Sequence, residues 1–124
     1  MTPDRIDQTP RPRAYKNFTP RMGVYALRFA STGQVLTDWS PHVEGSLNRL
    51  RFQLDAGLYP DKDIQRRWTA DGPDAFGLEV LDELAYDPAR PADHDYSAEL
   101  TELEALHREH LHLPQRPRNA RGLR

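Results

Sequence analysis

Residues 22–40 read MGVYALRFASTGQVLTDWS. Tyr25, Leu27 and Phe29 alternate with Val24, Ala26 and Arg28, the period of a β-strand whose successive side chains point to opposite faces. Ser31-Thr32-Gly33 supplies a turn and QVLTDW returns as a second strand, so the stretch predicts an antiparallel hairpin. The hairpin opens on Gly-Val-Tyr and closes on Leu-Thr-Asp-Trp, with neither tyrosine nor glycine at the matching place. That asymmetry bears on what the protein can do.

Outward from the hairpin, Ser40-Pro41 is a helix start: a hydroxyl can accept an orphan backbone N–H, and proline at the first helical position forfeits no hydrogen bond. Val43, Leu47, Leu50 and Leu54 form an apolar stripe, and Gly57 stops it, predicting a first helix over 41–56. Asp61 caps a second helix carrying Ile64 and Trp68 one turn apart, and Asp71-Gly72-Pro73 breaks it. FGLEVLDEL alternates Phe76, Leu78 and Val80 as a third strand. After a proline-bearing loop, Ser97 opens a last helix along Leu100, Leu103 and Leu106 that ends near Pro114. The order strand, strand, helix, helix, strand, helix with an antiparallel start is an α+β fold: a small three-stranded antiparallel sheet flanked by three helices.

A chain of 124 residues is one domain's worth. The absence of cysteine excludes a disulfide framework, a thiolate zinc site and a cysteine nucleophile. No apolar run approaches the ~18 residues of a membrane span, and MTPDRIDQTPRPR carries no apolar segment for a signal peptide, so the expectation is a cytoplasmic protein without a membrane partner. Residues 1–21 carry +3 and residues 110–124 carry +4, which leaves −9 on the middle. Residues 1–21 read as a proline-rich, solvated basic arm, 22–113 as the domain and 114–124 as an arginine-rich tail. In that tail Arg116, Arg118, Arg121 and Arg124 are candidate phosphate contacts, whereas the acidic middle is a poor nucleic-acid footprint.

Three stretches, MGVYALRFASTGQVL, SLNRLRFQLDAGLYPDKDIQRRW and DGPDAFGLEVLDEL, resemble the GIY-YIG nuclease domain over roughly 22–113, and more closely the divergent GIY-YIG-like domains found alone or attached to bacterial LuxR- and ArsR-type regulators. The resemblance implies phosphodiester hydrolysis with one divalent metal, Mg or Mn, held by a glutamate on the last helix. On these residues it assigns Tyr25 to orienting or deprotonating the attacking water and Glu104 to the metal, with Glu102 as the other register. Other family positions depart. The second-motif tyrosine falls on Leu36, its glycine on Asp38, the catalytic arginine on Ser46, and a helix position that is often histidine or tyrosine on Leu50. A leucine cannot hydrogen-bond a water or a phosphate oxygen, and a carboxylate repels phosphate. Arg49, three residues beyond Ser46, is a candidate replacement for the arginine, although it is also placed to pair with Asp55 or to lie along the surface; Arg28, on the other strand face from Tyr25, is less suited.

Two further groups invite chemistry. Glu104, His107, His110 and His112 suggest a metal site, yet steps of three drift around a helix and the zinc signature of two histidines four apart is missing, so an exposed histidine-rich helix end that suits the dipole is the better reading. Trp68 beside Arg66 and Arg67 suggests base stacking, but its spacing from Ile64 places it in the core; Tyr59 can line a cleft or cover a helix end. Three readings follow. The chain is a GIY-YIG-like domain with a degenerate, impaired site kept for binding nucleic acid or protein, needing no cofactor. Alternatively it is a slow metal-dependent DNA endonuclease using Tyr25, Glu104 and Arg49, or a protein-interaction module without a nucleic-acid role.

Overall fold

The computed structural model describes residues 19–114. The alternating stretch becomes strand β1 (Met22–Phe29), the returning one β2 (Val35–Ser40), and the third β3 (Phe76–Leu84). The sheet order is β2-β1-β3 with both pairings antiparallel, so β1 is central. Helices α1 (Val43–Asp55), α2 (Lys62–Asp71) and α3 (Ser97–His110) complete the described elements, with a 3-10 turn over Pro73–Ala75 before β3. This is the α+β arrangement expected from periodicity, in the expected order.

Cross-strand partners share a face. Tyr25, Leu27 and Phe29 stand opposite Asp38, Leu36 and, on β3, Val80, Leu78 and Phe76. This face packs against α1 and α2: Tyr25, Leu27 and Phe29 form one cluster with Val43, Leu50, Leu54, Tyr59 and Trp68. Trp68 is therefore a core residue. Its ring centroid lies 4.9 Å from that of Phe76, and its indole N–H donates to Asp55 at 3.1 Å. Val24 and Ala26 point the other way, opposite Trp39 and Thr37, and this second face receives α3. Val24 and Ala26 are as fully buried as Tyr25 and Leu27, as only a central strand covered on both sides can be.

Two helix ends differ from expectation. Helix α1 begins at Val43 rather than Pro41, because Ser40 is still held in β2 by its pairing with Gly23, and the first helical N–H donates to the Arg21 carbonyl at 2.8 Å. Ser40 still accepts an N–H, that of His42 at 3.0 Å. Helix α3 ends at His110, short of Pro114: Leu111 and His112 close it through N–H donation to the His107 and Glu109 carbonyls. The other signals behave as read. Asp61 accepts from the Asp63 and Ile64 N–H groups, and Gly57 (φ 76°) closes α1 with Leu58 N–H donating to the Gln53 carbonyl at 2.8 Å, a Schellman end. Gln65 then ties α2 to the end of α1: it accepts from Tyr59 N–H and donates to the Leu54 carbonyl, both at 2.9 Å.

The first glycine of the hairpin has a packing reason. A Cβ on Gly23 would stand 2.0 Å from the Asp82 carbonyl oxygen, beside the register shift between Val24 and Tyr25 where β3 bulges against β1. Gly77, on the same pair of strands, has its nearest prospective neighbour at 3.9 Å. Gly23→Ala is expected to destabilise the fold by about 1–3 kcal/mol or more, the range for overpacking against atoms that cannot yield. Gly77→Ala should stay within about 0.5 kcal/mol of the parent. Urea unfolding of the two variants beside the parent measures both.

Candidate functional site

The hairpin and α1 bring together the positions that the resemblance singled out, and place them inside. Tyr25 and Asp38 are cross-strand partners, and both are completely buried. Leu50 meets the same core from α1, and Leu36 packs against it, half-buried. Ser46, where the resemblance puts an arginine, is buried, with its Oγ 2.6 Å from that of Ser40. Two short hydroxyls thus fill the space at the start of α1 and satisfy each other. Arg49 lies exposed on the outer side of α1, with no partner among the described residues. The pairing foreseen with Asp55 is made instead by Arg51, four residues before it, at 4.0 Å.

Glu104 is elsewhere. It is 3% exposed on α3, and its Oε2 accepts from the Thr37 hydroxyl at 2.8 Å. Thr37 Oγ1 in turn accepts from Arg108 at 2.7 Å, and Arg108 reaches on to the Pro114 carbonyl. Thr37 sits between Leu36 and Asp38 in β2, so its side chain leaves the sheet on the face away from Tyr25. Tyr25 and Glu104 are therefore on opposite faces, with the sheet between them. Glu102, in the other register, is exposed on α3. The network Thr37–Glu104–Arg108 was not foreseen from sequence. Its one signal is the hydroxyl at the position whose neighbour Ala26 faces α3, which needs the strand register to be read.

The histidines of α3 separate. His107 Nε2 lies 2.9 Å from Asp82 Oδ2 and ties α3 to β3. The hydrogen bond with His107 holds the Asp82 carboxyl below the usual carboxylate range; the Glu83 N–H, donating at 2.8 Å, acts the same way, and partial burial opposes both. Leu103, Leu106, His107 and His110 fall on one stripe of α3 and, with Asp82, Glu109 and His112, line a groove of about 740 Å³. Among the described residues no three His, Asp or Glu side chains converge on a point able to hold a metal ion. Glu104 Oε2 is engaged by the Thr37 hydroxyl, which is itself held by the Arg108 guanidinium. No helix among the described residues is long and apolar enough to cross a membrane. Arg116, Arg118, Arg121 and Arg124 lie outside the described residues.

No protein-family model matches the chain, and no curated protein matches it. Among solved structures, the fold is similar to the catalytic domain of homing endonuclease I-TevI, with a TM-score of 0.56 and 19% identity over 73% of this chain and 88% of that one. A variant of the same catalytic domain, with one glutamate replaced by alanine, gives a TM-score of 0.55 and 17% identity over 74% of this chain and 84% of that one. At such identities the likeness establishes the fold: the chain has the GIY-YIG-like architecture that its sequence resembles.

Two measurements probe the face that holds Glu104. Thr37→Val removes the hydroxyl that serves both Glu104 and Arg108, and the loss expected is about 1–3 kcal/mol, the cost of leaving buried polar groups unsatisfied. The lowered Asp82 pKa makes a contribution to stability that is complete above the unfolded-state value of about 3.9 and fades as pH falls through the lower folded-state value. Acidification below about pH 4 should therefore cost the parent more stability than it costs Asp82→Asn, read by urea unfolding across a pH series.

Proposed function

We propose that the chain is a GIY-YIG-like domain whose phosphodiester chemistry is impaired and which is kept for binding, its partner being another protein in a bacterial cytoplasm. The observation that carries the reading is the placement of Tyr25 and Glu104, buried on opposite faces of the sheet. A hydroxyl that helps an attacking water and a carboxylate that holds a metal must reach one phosphate. General acid–base catalysis needs contact at about 2.6–3.2 Å, directly or through one water. Leu36, Asp38, Ser46 and Leu50 add to this, because the loss of an arginine at a phosphoryl-transfer site costs about three orders of magnitude or more.

The choice of a protein partner rests on charge. Residues 19–114 hold nine lysines and arginines against seventeen aspartates and glutamates. Arg21, Arg28, Arg51, Arg66 and Arg90 are each already paired with a carboxylate. Binding to nucleic acid would fall to the basic ends. Neutralised phosphates would then appear as a fall of log affinity with log salt at a slope of about −0.9 per contact.

The exposed, unpaired Arg49 favours the second reading, a slow metal-dependent endonuclease, since it alone on α1 is free to meet a phosphate near Ser46. Plasmid nicking with magnesium or manganese decides between them. The expected result is no nicking above a mock preparation, for the parent, Tyr25→Phe and Arg49→Ala alike. Metal-dependent nicking that travels with the protein through chromatography and falls about a hundredfold in Arg49→Ala would overturn the proposal in favour of the enzyme.

A further inference from the structure

The outer side of α3 exposes one large apolar side chain among polar ones. Leu106 is 58% exposed, and Leu103 and Leu106 line the groove with Asp82 of β3 on its other wall. Helical spacing puts Glu102 one turn before Leu106 and Glu109 one turn after it. The groove lining contains two carboxylates, Asp82 and Glu109, three imidazoles, and no lysine or arginine. The one arginine of α3, Arg108, is turned to the Thr37 hydroxyl and the Pro114 carbonyl. His107 Nε2 lies 2.9 Å from Asp82 Oδ2, which fixes that carboxylate on the groove wall.

From this we infer that the groove between α3 and β3 docks an amphipathic basic helix of a partner protein, with an apolar side chain seated on Leu103 and Leu106 and lysines or arginines meeting Asp82 and Glu109. The proposal rests on the binding reading above and gives it a place and a chemistry. Charge complementarity selects the occupant. A nucleic-acid backbone is repelled by the same carboxylates that attract a basic helix. A second copy related by a two-fold axis would face this patch with the same patch, which brings no lysine or arginine to its carboxylates. The other large exposed apolar pair, Phe52 and Leu58, belongs to the Schellman end of α1, where an apolar residue after the glycine commonly meets one in the last turn.

The probe is a fluorescein-labelled synthetic peptide with leucine at helical spacing and lysine on its flanks, titrated into the full chain and followed by anisotropy. Sister peptides carry glutamate for lysine or serine for leucine. The expected result is saturable binding of the leucine–lysine peptide alone, with amide NMR shifts confined to α3 and β3. Leu106→Ser and Glu109→Lys should each weaken it about tenfold, since anchors at the centre of a contact carry most of its energy. Phe52→Ser, on α1, should leave it unchanged. Both groove residues are exposed, and far-UV circular dichroism verifies that the variants fold. Equal affinity for Leu106→Ser, equal affinity for the glutamate peptide, or shifts confined to α1 would overturn the groove while leaving a binding domain. Metal-dependent nicking with groove binding intact would overturn the impaired-site reading and leave the groove standing.

Discussion

Strand β1 is buried on both faces, and the rest of the molecule is organised by that constraint. A strand so placed divides its surroundings into two half-cores, one under α1 and α2 and one under α3. Residues of β2 and β3 are assigned to one half or the other by the two-residue period, which the bulge in β3 resets between Val80 and Asp82. Polar groups that fall inside must find partners inside, because water is not available to them. Ser40 and Ser46 satisfy each other under α1; Thr37, Glu104 and Arg108 do the same under α3. One network lies on each side of the sheet, the serine pair on the side of Tyr25 and the Thr37 network on the side of α3.

The same constraint explains which parts of the protein are legible from sequence. The elements are legible because each carries its own signal: the alternation of Tyr25, Leu27 and Phe29, the stripe from Val43 to Leu54, the Asp61 cap and the breaker at Gly72. Their ends are less so. The start of α1 depends on whether Ser40 is claimed by the strand or by the helix, and only the pairing with Gly23 decides it. Side-chain grouping is less legible still. The resemblance assigns Tyr25 and Glu104 to one site, yet whether they share a face follows from the register of β2 and from the side of the sheet that α3 covers. The Asp82–His107 contact has no sequence pattern at all, since its partners are 25 residues apart on elements whose packing angle is a tertiary property.

Charge tells a similar story at a coarser scale. The sequence divides into basic ends and an acidic middle, but net charge does not say which acids remain available. In the folded domain several are spent on arginines: Glu83 and Glu44 on Arg21, Glu79 on Arg28, Asp63 on Arg66. Such exposed pairs contribute little to stability, about 0–1 kcal/mol each, yet they withdraw cations from any phosphate. The carboxylates of the α3 groove are in a different position: Asp82 is matched by a titratable imidazole rather than by a permanent cation.

The hairpin signature itself separates packing from chemistry. Gly23 is held by the Asp82 carbonyl, which leaves no room for a Cβ, and Tyr25 is held by the core that surrounds it. Neither needs catalysis as a reason to be where it is. The matching positions on β2 are held by packing as well: Leu36 packs against the core, and the buried Asp38 carboxylate stands opposite Tyr25 with one oxygen accepting the Trp39 N–H at 2.7 Å. Packing therefore accounts for Gly-Val-Tyr without any appeal to chemistry.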